Sequence, residues 1–397
     1  MTMGRGVNGF LYDFLMILVL SSCVSGKEQM MKEDFEVMHT IDYAQSFPSE
    51  MKLSSLCNSV ELIPLDTIGN FYVGNIKCLK YACQHIFVLD DTETLYVFDR
   101  QGKGRTAIRR KGKGRNEYID VRGFDLTSDS LVCLLTYPAK LMYFTLDGDF
   151  VKEYALDTKG FELALLPDDK AAVYTDNVNS TPKEASTLVD ICNLSEGNSE
   201  GHILGYICFP HRMLPTYQQN RVFVETVTDE CLFSEPLSNR IFGIVSDSVY
   251  VKYNIDFGRR NPDKCLPESM NPNSSVSVLD FVQENIPVYG FNSCWENSSY
   301  LYVQFYEQGR PRSLLYDRRS DKTYVGNVLQ DDLTGCNPRF LKATDECLVG
   351  YWTAEDILSL GDYLENMNKG MTPDFRRMLD VIKVKENPVL GLFHFIR

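Results

Sequence analysis

One phrase, a short apolar strand followed by a turn and a second strand, recurs along this chain and limits its fold more than any other feature. Its clearest copies are Ile86-Phe87-Val88-Leu89 with Leu95-Tyr96-Val97-Phe98-Asp99-Arg100-Gln101-Gly102, and Val132-Cys133-Leu134-Leu135 with Leu141-Met142-Tyr143-Phe144-Thr145-Leu146-Asp147-Gly148, displaced by 46 residues. Echoes of the second half stand at Leu188-Val189-Asp190-Ile191, Ile241-Phe242-Gly243-Ile244, Leu314-Leu315-Tyr316-Asp317 and Val389-Leu390-Gly391-Leu392-Phe393. A small sheet of this size cannot bury both of its faces alone, but copies arranged about an axis bury them for one another. Six copies predict an all-β chain folded as a six-bladed β-propeller over residues 58–397.

The last copy lies at the C-terminus, so its sheet lacks a strand unless one arrives from the start of the chain. Val60-Glu61-Leu62-Ile63-Pro64-Leu65 fits that place, with Pro64 confining it to an edge. N- and C-terminal strands in one blade close the ring and remove exposed sheet edges. One segment breaks the β pattern. Thr353-Ala354-Glu355-Asp356 reads as a helix cap before Ile357, Leu358, Leu360 and Leu364, with Gly370 as the stop. Thr372 and Pro373 open a second helix with Phe375, Met378, Leu379 and Ile382 on one face. This helical insertion at about 353–385 is expected to cover part of one ring face, and a lid over the central channel is the alternative.

The formal charge of −14 argues against a general nucleic-acid binder, whose surface must neutralise phosphates. Before the repeats, Arg5, the apolar run Phe14 to Leu20 and Leu20-Ser21-Ser22-Cys23 resemble a bacterial lipoprotein signal with its lipobox. The resemblance implies a signal peptide over 1–22, lipidation of Cys23, and a membrane partner reached through the lipid anchor. It places the protein in the cell envelope, as an outer-membrane lipoprotein facing the periplasm or the cell surface. An ordinary secretory signal or a short anchor is the alternative, although the apolar run is short of the roughly 20 residues that span a bilayer. Residues 23–57, with Lys27-Glu28-Gln29 and Lys32-Glu33-Asp34, read as the lipidated N-terminus and a polar tether. Twelve cysteines less Cys23 leave an odd number, so at least one thiol is unpaired or intermolecular. Cys78 and Cys83 are candidates to pair across a bend.

Ile63-Pro64-Leu65-Asp66-Thr67, Gly112-Lys113-Gly114-Arg115-Asn116-Glu117-Tyr118, Tyr250-Val251-Lys252-Tyr253-Asn254-Ile255-Asp256-Phe257-Gly258, Leu315-Tyr316-Asp317-Arg318-Arg319 and Asn387-Pro388-Val389-Leu390 resemble phrases of the six-bladed β-propeller (lipo)proteins of gut Bacteroidetes. That resemblance implies the fold and an envelope location and supplies no catalytic residue. Where that family commonly carries Pro-Gly, this chain has Arg115-Asn116.

Arg100 to Arg115 is the densest charge feature, with eight cations among four glycines. It lacks the G-x-x-x-x-G-K-[ST] spacing of a P-loop. Arg109, Arg110, Lys111 and Arg115 are candidate ligands for an anion; a solvated structural loop is the plainer reading, with Glu117 anchoring the turn through backbone N–H groups. Trp295, before the turn residues Glu296-Asn297-Ser298-Ser299, is expected to be exposed and able to stack on a ligand, whereas Tyr289, Tyr300, Tyr302 and Tyr306 read as strand packing. Trp352 reads as a packing anchor. No G-x-S-x-G elbow or H-E-x-x-H helix occurs, so no catalytic residue and no resident metal or cofactor is assigned. Asp90, Asp176, Asn177, Asp256 and Asn292 are oxygen donors suited to Ca²⁺ in a metal-dependent lactonase- or lyase-like enzyme using central-channel carboxylates, but they serve equally as turn formers. The leading expectation is a binding or scaffolding module for a glycan, peptide or partner protein.

Overall fold

The computed structural model describes residues 36–69, 71–175, 189–194, 198–202, 223–224, 230–234, 238–245, 248–265 and 278–396. Six separate antiparallel sheets follow one another along the chain as the blades of a propeller. Blade 1 spans Ile76–Ala82, His85–Asp90, Leu95–Asp99 and Gly104–Ile108; blade 2 spans Asp120–Leu126, Val132–Tyr137, Lys140–Phe144 and Phe150–Ala155. Blade 3 runs from Glu162–Leu166 to Asn198–His202, blade 4 from Phe223–Val224 to Ser248–Asp256, and blade 5 from Val288–Glu296 to Lys322–Gly326. Blade 6 takes Arg339–Ala343, Cys347–Trp352 and Val389–Phe395 from the end of the chain and Cys57–Pro64 from its start. Each later echo of the repeat falls in the third strand of its sheet, which is why the phrases are equivalent.

The apolar runs are continuous because both faces of each blade are buried. Phe87 and Leu89 of blade 1 join a cluster with Phe124, Leu134 and Met142 of blade 2. Ile86 and Val88, pointing the other way, pack with Ile63, Leu390 and Leu392 of blade 6. The same alternation fills the interfaces of blades 2 with 3, 3 with 4, 4 with 5 and 5 with 6. The core is thus six wedges of side chains, one per blade junction.

The two ends pair in one blade as expected, and in the register found Leu390 opposes Ile63, Gly391 opposes Leu62, and His394 opposes Ser59. Pro64 ends the outermost strand, where a missing N–H costs no ladder bond. Asn387 knits the seam by donating to the carbonyls of Asp66 (2.8 Å) and Phe71 (2.6 Å).

The polar tether expected over 23–57 gives way to structure from Val37. Val37–Asp42 adds a fifth strand to blade 4, parallel to Ser248–Asp256, and Phe47–Pro48 adds one to blade 5, parallel to Lys322–Gly326. Among the residues of Val37–Asp42 only Ile41 is buried, so the segment carries none of the apolar alternation by which strands are recognised.

The helical insertion forms as Ala354–Asn366 and Pro373–Lys385. Thr353 and Asp356 make a reciprocal capping box, and Thr372 caps the Phe375 N–H at 3.1 Å. The first helix stops at Asn366, ahead of Gly370. Ile357, Phe375, Met378, Leu379 and Ile382 pack with Leu53, Leu56, Trp352 and Phe393, so the pair is built into the wall between blades 5 and 6. Trp352 is the anchor of that wall: its ring is fully buried and its Nε1 donates to the Cys336 carbonyl at 2.6 Å.

Candidate functional site

The connection from blade 1 to blade 2, residues 109–119, is held in shape by its own side chains. Tyr118 is fully buried; its hydroxyl donates to the Glu93 carbonyl at 2.8 Å and accepts the Arg110 N–H at 3.1 Å. Its backbone N–H donates to the Arg110 carbonyl at 3.0 Å, and its own carbonyl receives the Gly112 N–H at 2.8 Å. Burial pushes the Tyr118 phenol above its usual pKa, which keeps it a neutral donor. Glu117 accepts the Gly114 N–H at 2.6 Å, the anchoring role expected for it. A Cβ on Gly112 would stand 2.0 Å from that carboxylate, so a side chain there would push the Glu117 carboxylate out of its present position. Asn116 takes the left-handed conformation, φ 59°, and so does the work of glycine where the resembled family has Pro-Gly.

Beneath the loop, Glu93 ties blade 1 to blade 2. Its carboxylate receives the Lys77 ammonium at 2.6 Å and the Val121 N–H at 2.8 Å. These bonds frame the loop, and the cations are left outside the frame. Arg109, Arg110, Lys111 and Arg115 are exposed and line one open cavity of about 350 Å³, together with Ile108, Glu117 and Gly148. None of the four makes an ion pair among the described residues. The Arg110 guanidinium lies over the Phe144 ring of blade 2 at 5.8 Å, which places it in the groove between the two blades.

Trp295 is not part of such a surface. It is fully buried and stacks on Tyr302 at 5.1 Å, with the planes 13° apart. The turn after it does form, but Trp295 occupies a strand position directly opposite Tyr302, in the wedge between blades 5 and 6. Neighbouring turn residues therefore misled the expectation of exposure. Tyr289 stacks on Tyr306 at 5.3 Å in the same strand pair, as packing requires.

The oxygen donors considered for Ca²⁺ are engaged in turns where they are described. Asp90 accepts from Gly74 N–H, Thr92 N–H and Thr94 N–H at 3.0–3.2 Å. Asp256 accepts the Gly258 N–H at 2.8 Å and the Asn261 amide at 3.0 Å. Asp176, Asn177, Cys23 and the side chain of Asn292 lie outside the described residues. Among the described residues no three His, Cys, Asp or Glu side chains gather as a metal site. Cys83 keeps a free, exposed thiol, so the Cys78–Cys83 pairing is not made; Cys78 faces the wedge between blades 1 and 2.

The sequence reading gave no weight to a second charged cluster. Glu296, 2% exposed, accepts from Lys252 (3.0 Å), Tyr253 (2.8 Å) and Arg318 (2.8 Å), and Lys252 also pairs with Glu230. Placing Glu296 in a turn hid this role. Its position at the end of a buried strand was the available signal.

A family model described as "Domain of unknown function (DUF4934)" matches residues 38–394. No curated protein matches the chain. Among solved structures, a Bacteroides fragilis protein provisionally described as exported superposes with a TM-score of 0.69 at 16% identity, covering 91% of this chain and 100% of that one. BamB from Moraxella catarrhalis gives a TM-score of 0.37 at 10% identity, covering 74% of this chain and 72% of that one. The Bacteroides fragilis structure shows a shared fold. No helix among the described residues is long and apolar enough to cross a membrane.

Proposed function

We propose that this chain, which belongs to the DUF4934 family, is an envelope propeller tethered by a lipid on Cys23 that works as a binding or scaffolding module for an anionic glycan, peptide or partner protein. One observation carries the reading: four cations without ion-pair partners among the described residues converge on a single cavity, in a protein whose net charge is −14. The latch by a buried tyrosine and an internal carboxylate suits a binding loop, because ordering paid during folding is not paid again on association. The cations supply attraction and orientation; the ring supplies rigidity.

The test is an affinity screen of the full-length protein against acidic glycans, acidic peptides and envelope proteins, repeated with Arg109→Ala, Arg110→Ala and Lys111→Ala combined. Hits that weaken with added salt and are lost in the triple variant support the site. Hits unchanged in the variant remove it. Mass spectrometry of the membrane fraction, with Cys23→Ala alongside, tests the anchor: an acylated N-terminal cysteine is expected, and an unmodified soluble product contradicts it.

A further inference from the structure

The open edge of blade 1 carries a second property of the same region. Blades 4 and 5 each accept a fifth strand, Val37–Asp42 and Phe47–Pro48, laid parallel against their outermost strands. Among the described residues, the outermost strand of blade 1, Gly104–Ile108, has no such cover. Its side chains divide: Thr106 turns toward blade 2, its hydroxyl donating to the Asp147 carbonyl at 3.2 Å, while Arg105 and Ala107 are exposed. Lys103 and Arg105 continue the cationic run of Arg109, Arg110 and Lys111 along this edge. The other four-stranded blades differ, since the outer strand of blade 2 reads Phe150-Val151-Lys152-Glu153-Tyr154-Ala155, that of blade 3 Asn198-Ser199-Glu200-Gly201-His202 and that of blade 6 Cys57-Asn58-Ser59-Val60-Glu61-Leu62-Ile63-Pro64.

We propose that blade 1 binds an extended acidic peptide as a fifth strand, parallel to Gly104–Ile108, with its carboxylates on Lys103, Arg105 and the pocket cations. This rests on the basic pocket being a binding site and adds the chemistry of the ligand. Backbone hydrogen bonds along the edge give the affinity, and alternate side chains meeting cations give the selectivity. The geometry is the one the chain already uses on itself at blades 4 and 5.

The probe is a fluorescent eight-residue peptide of alternating glutamate and valine, titrated into the full-length protein. Comparators are the same sequence with alternate backbone nitrogens methylated, a lysine-for-glutamate version, and inorganic polyphosphate, which is anionic without amides. Strand addition predicts that the acidic peptide binds, that methylation and Arg105→Glu each weaken it at least tenfold, that the lysine peptide does not bind, and that the amides of 104–108 gain hydrogen-exchange protection. Equal binding of methylated and unmethylated acidic peptides, with polyphosphate competing, overturns strand addition and leaves the basic pocket standing. Binding of none of the anionic probes overturns both, and leaves the cations as charges that keep other strands off an open edge.

Discussion

Ring closure can be tested by a covalent bond across the seam, with Ser59→Cys combined with His394→Cys. The two residues are directly opposed in the pairing of Cys57–Pro64 with Val389–Phe395, and Ser59 is exposed while His394 is half-exposed, so neither substitution opens a cavity. Opposed residues in an antiparallel pair have Cα atoms about 4.5–5.5 Å apart, inside the range a disulfide spans. The bridge closes a loop of about 335 residues, for which the chain-entropy relation gives a ceiling of about 6 kcal/mol at 25 °C. With an unfolding entropy of about 2.1 cal/mol/K per residue over about 360 residues, that ceiling corresponds to about 8 °C in Tm. The assay is calorimetry of oxidised and reduced forms, with the 59–394 linkage identified by peptide mass spectrometry. Glu61→Cys with His394→Cys, one diagonal out of register, serves as the comparison and should oxidise poorly. Failure of the 59–394 bridge to form, or its formation without a rise in Tm, would refute closure within one blade.

Three further outcomes follow from particular contacts. Glu296→Ala should destabilise by about 3–5 kcal/mol in urea titration, because Lys252 and Arg318 lose the buried carboxylate they face; a loss under 1 kcal/mol would show the cluster to be well solvated. Under a thiol reagent at pH 8, Cys83 should label at once, while Cys57, Cys133 and Cys192, whose thiols burial pushes up to about 12, stay silent until unfolding. The Gly258 N–H and the Asn261 amide hold Asp256 below the usual aspartate pKa. Its contribution to stability is therefore complete above the unfolded value and is lost as pH falls through the depressed one, so Asp256→Asn should flatten the acid limb of a stability–pH profile.

Much of the ring was legible because blade strands are buried on both faces, and Ile86-Phe87-Val88-Leu89 or Val132-Cys133-Leu134-Leu135 then read as unbroken apolar runs. The closing strand was legible from Pro64 and from the incomplete last sheet. The fifth strands were not, since an edge strand added from outside needs only backbone pairing, and Val37–Asp42 buries Ile41 alone. Trp295 shows the converse limit: its burial depends on Tyr302 and Phe395, the latter a hundred residues away, and not on the turn beside it. At the basic loop, the glycines and Glu117 announced a shaped turn. The latch by Tyr118 depends on the Glu93 carbonyl of the preceding hairpin, which only the folded chain brings near.

The central claim is that the cationic loop is formed before any ligand arrives. Native-state hydrogen exchange of the ligand-free protein measures this directly, at the amides of Arg110, Gly112, Gly114 and Tyr118. The account predicts slow exchange at all four, with Tyr118→Phe accelerating Arg110 by removing its acceptor. Exchange at the rate of an unstructured peptide in the unaltered protein would contradict it.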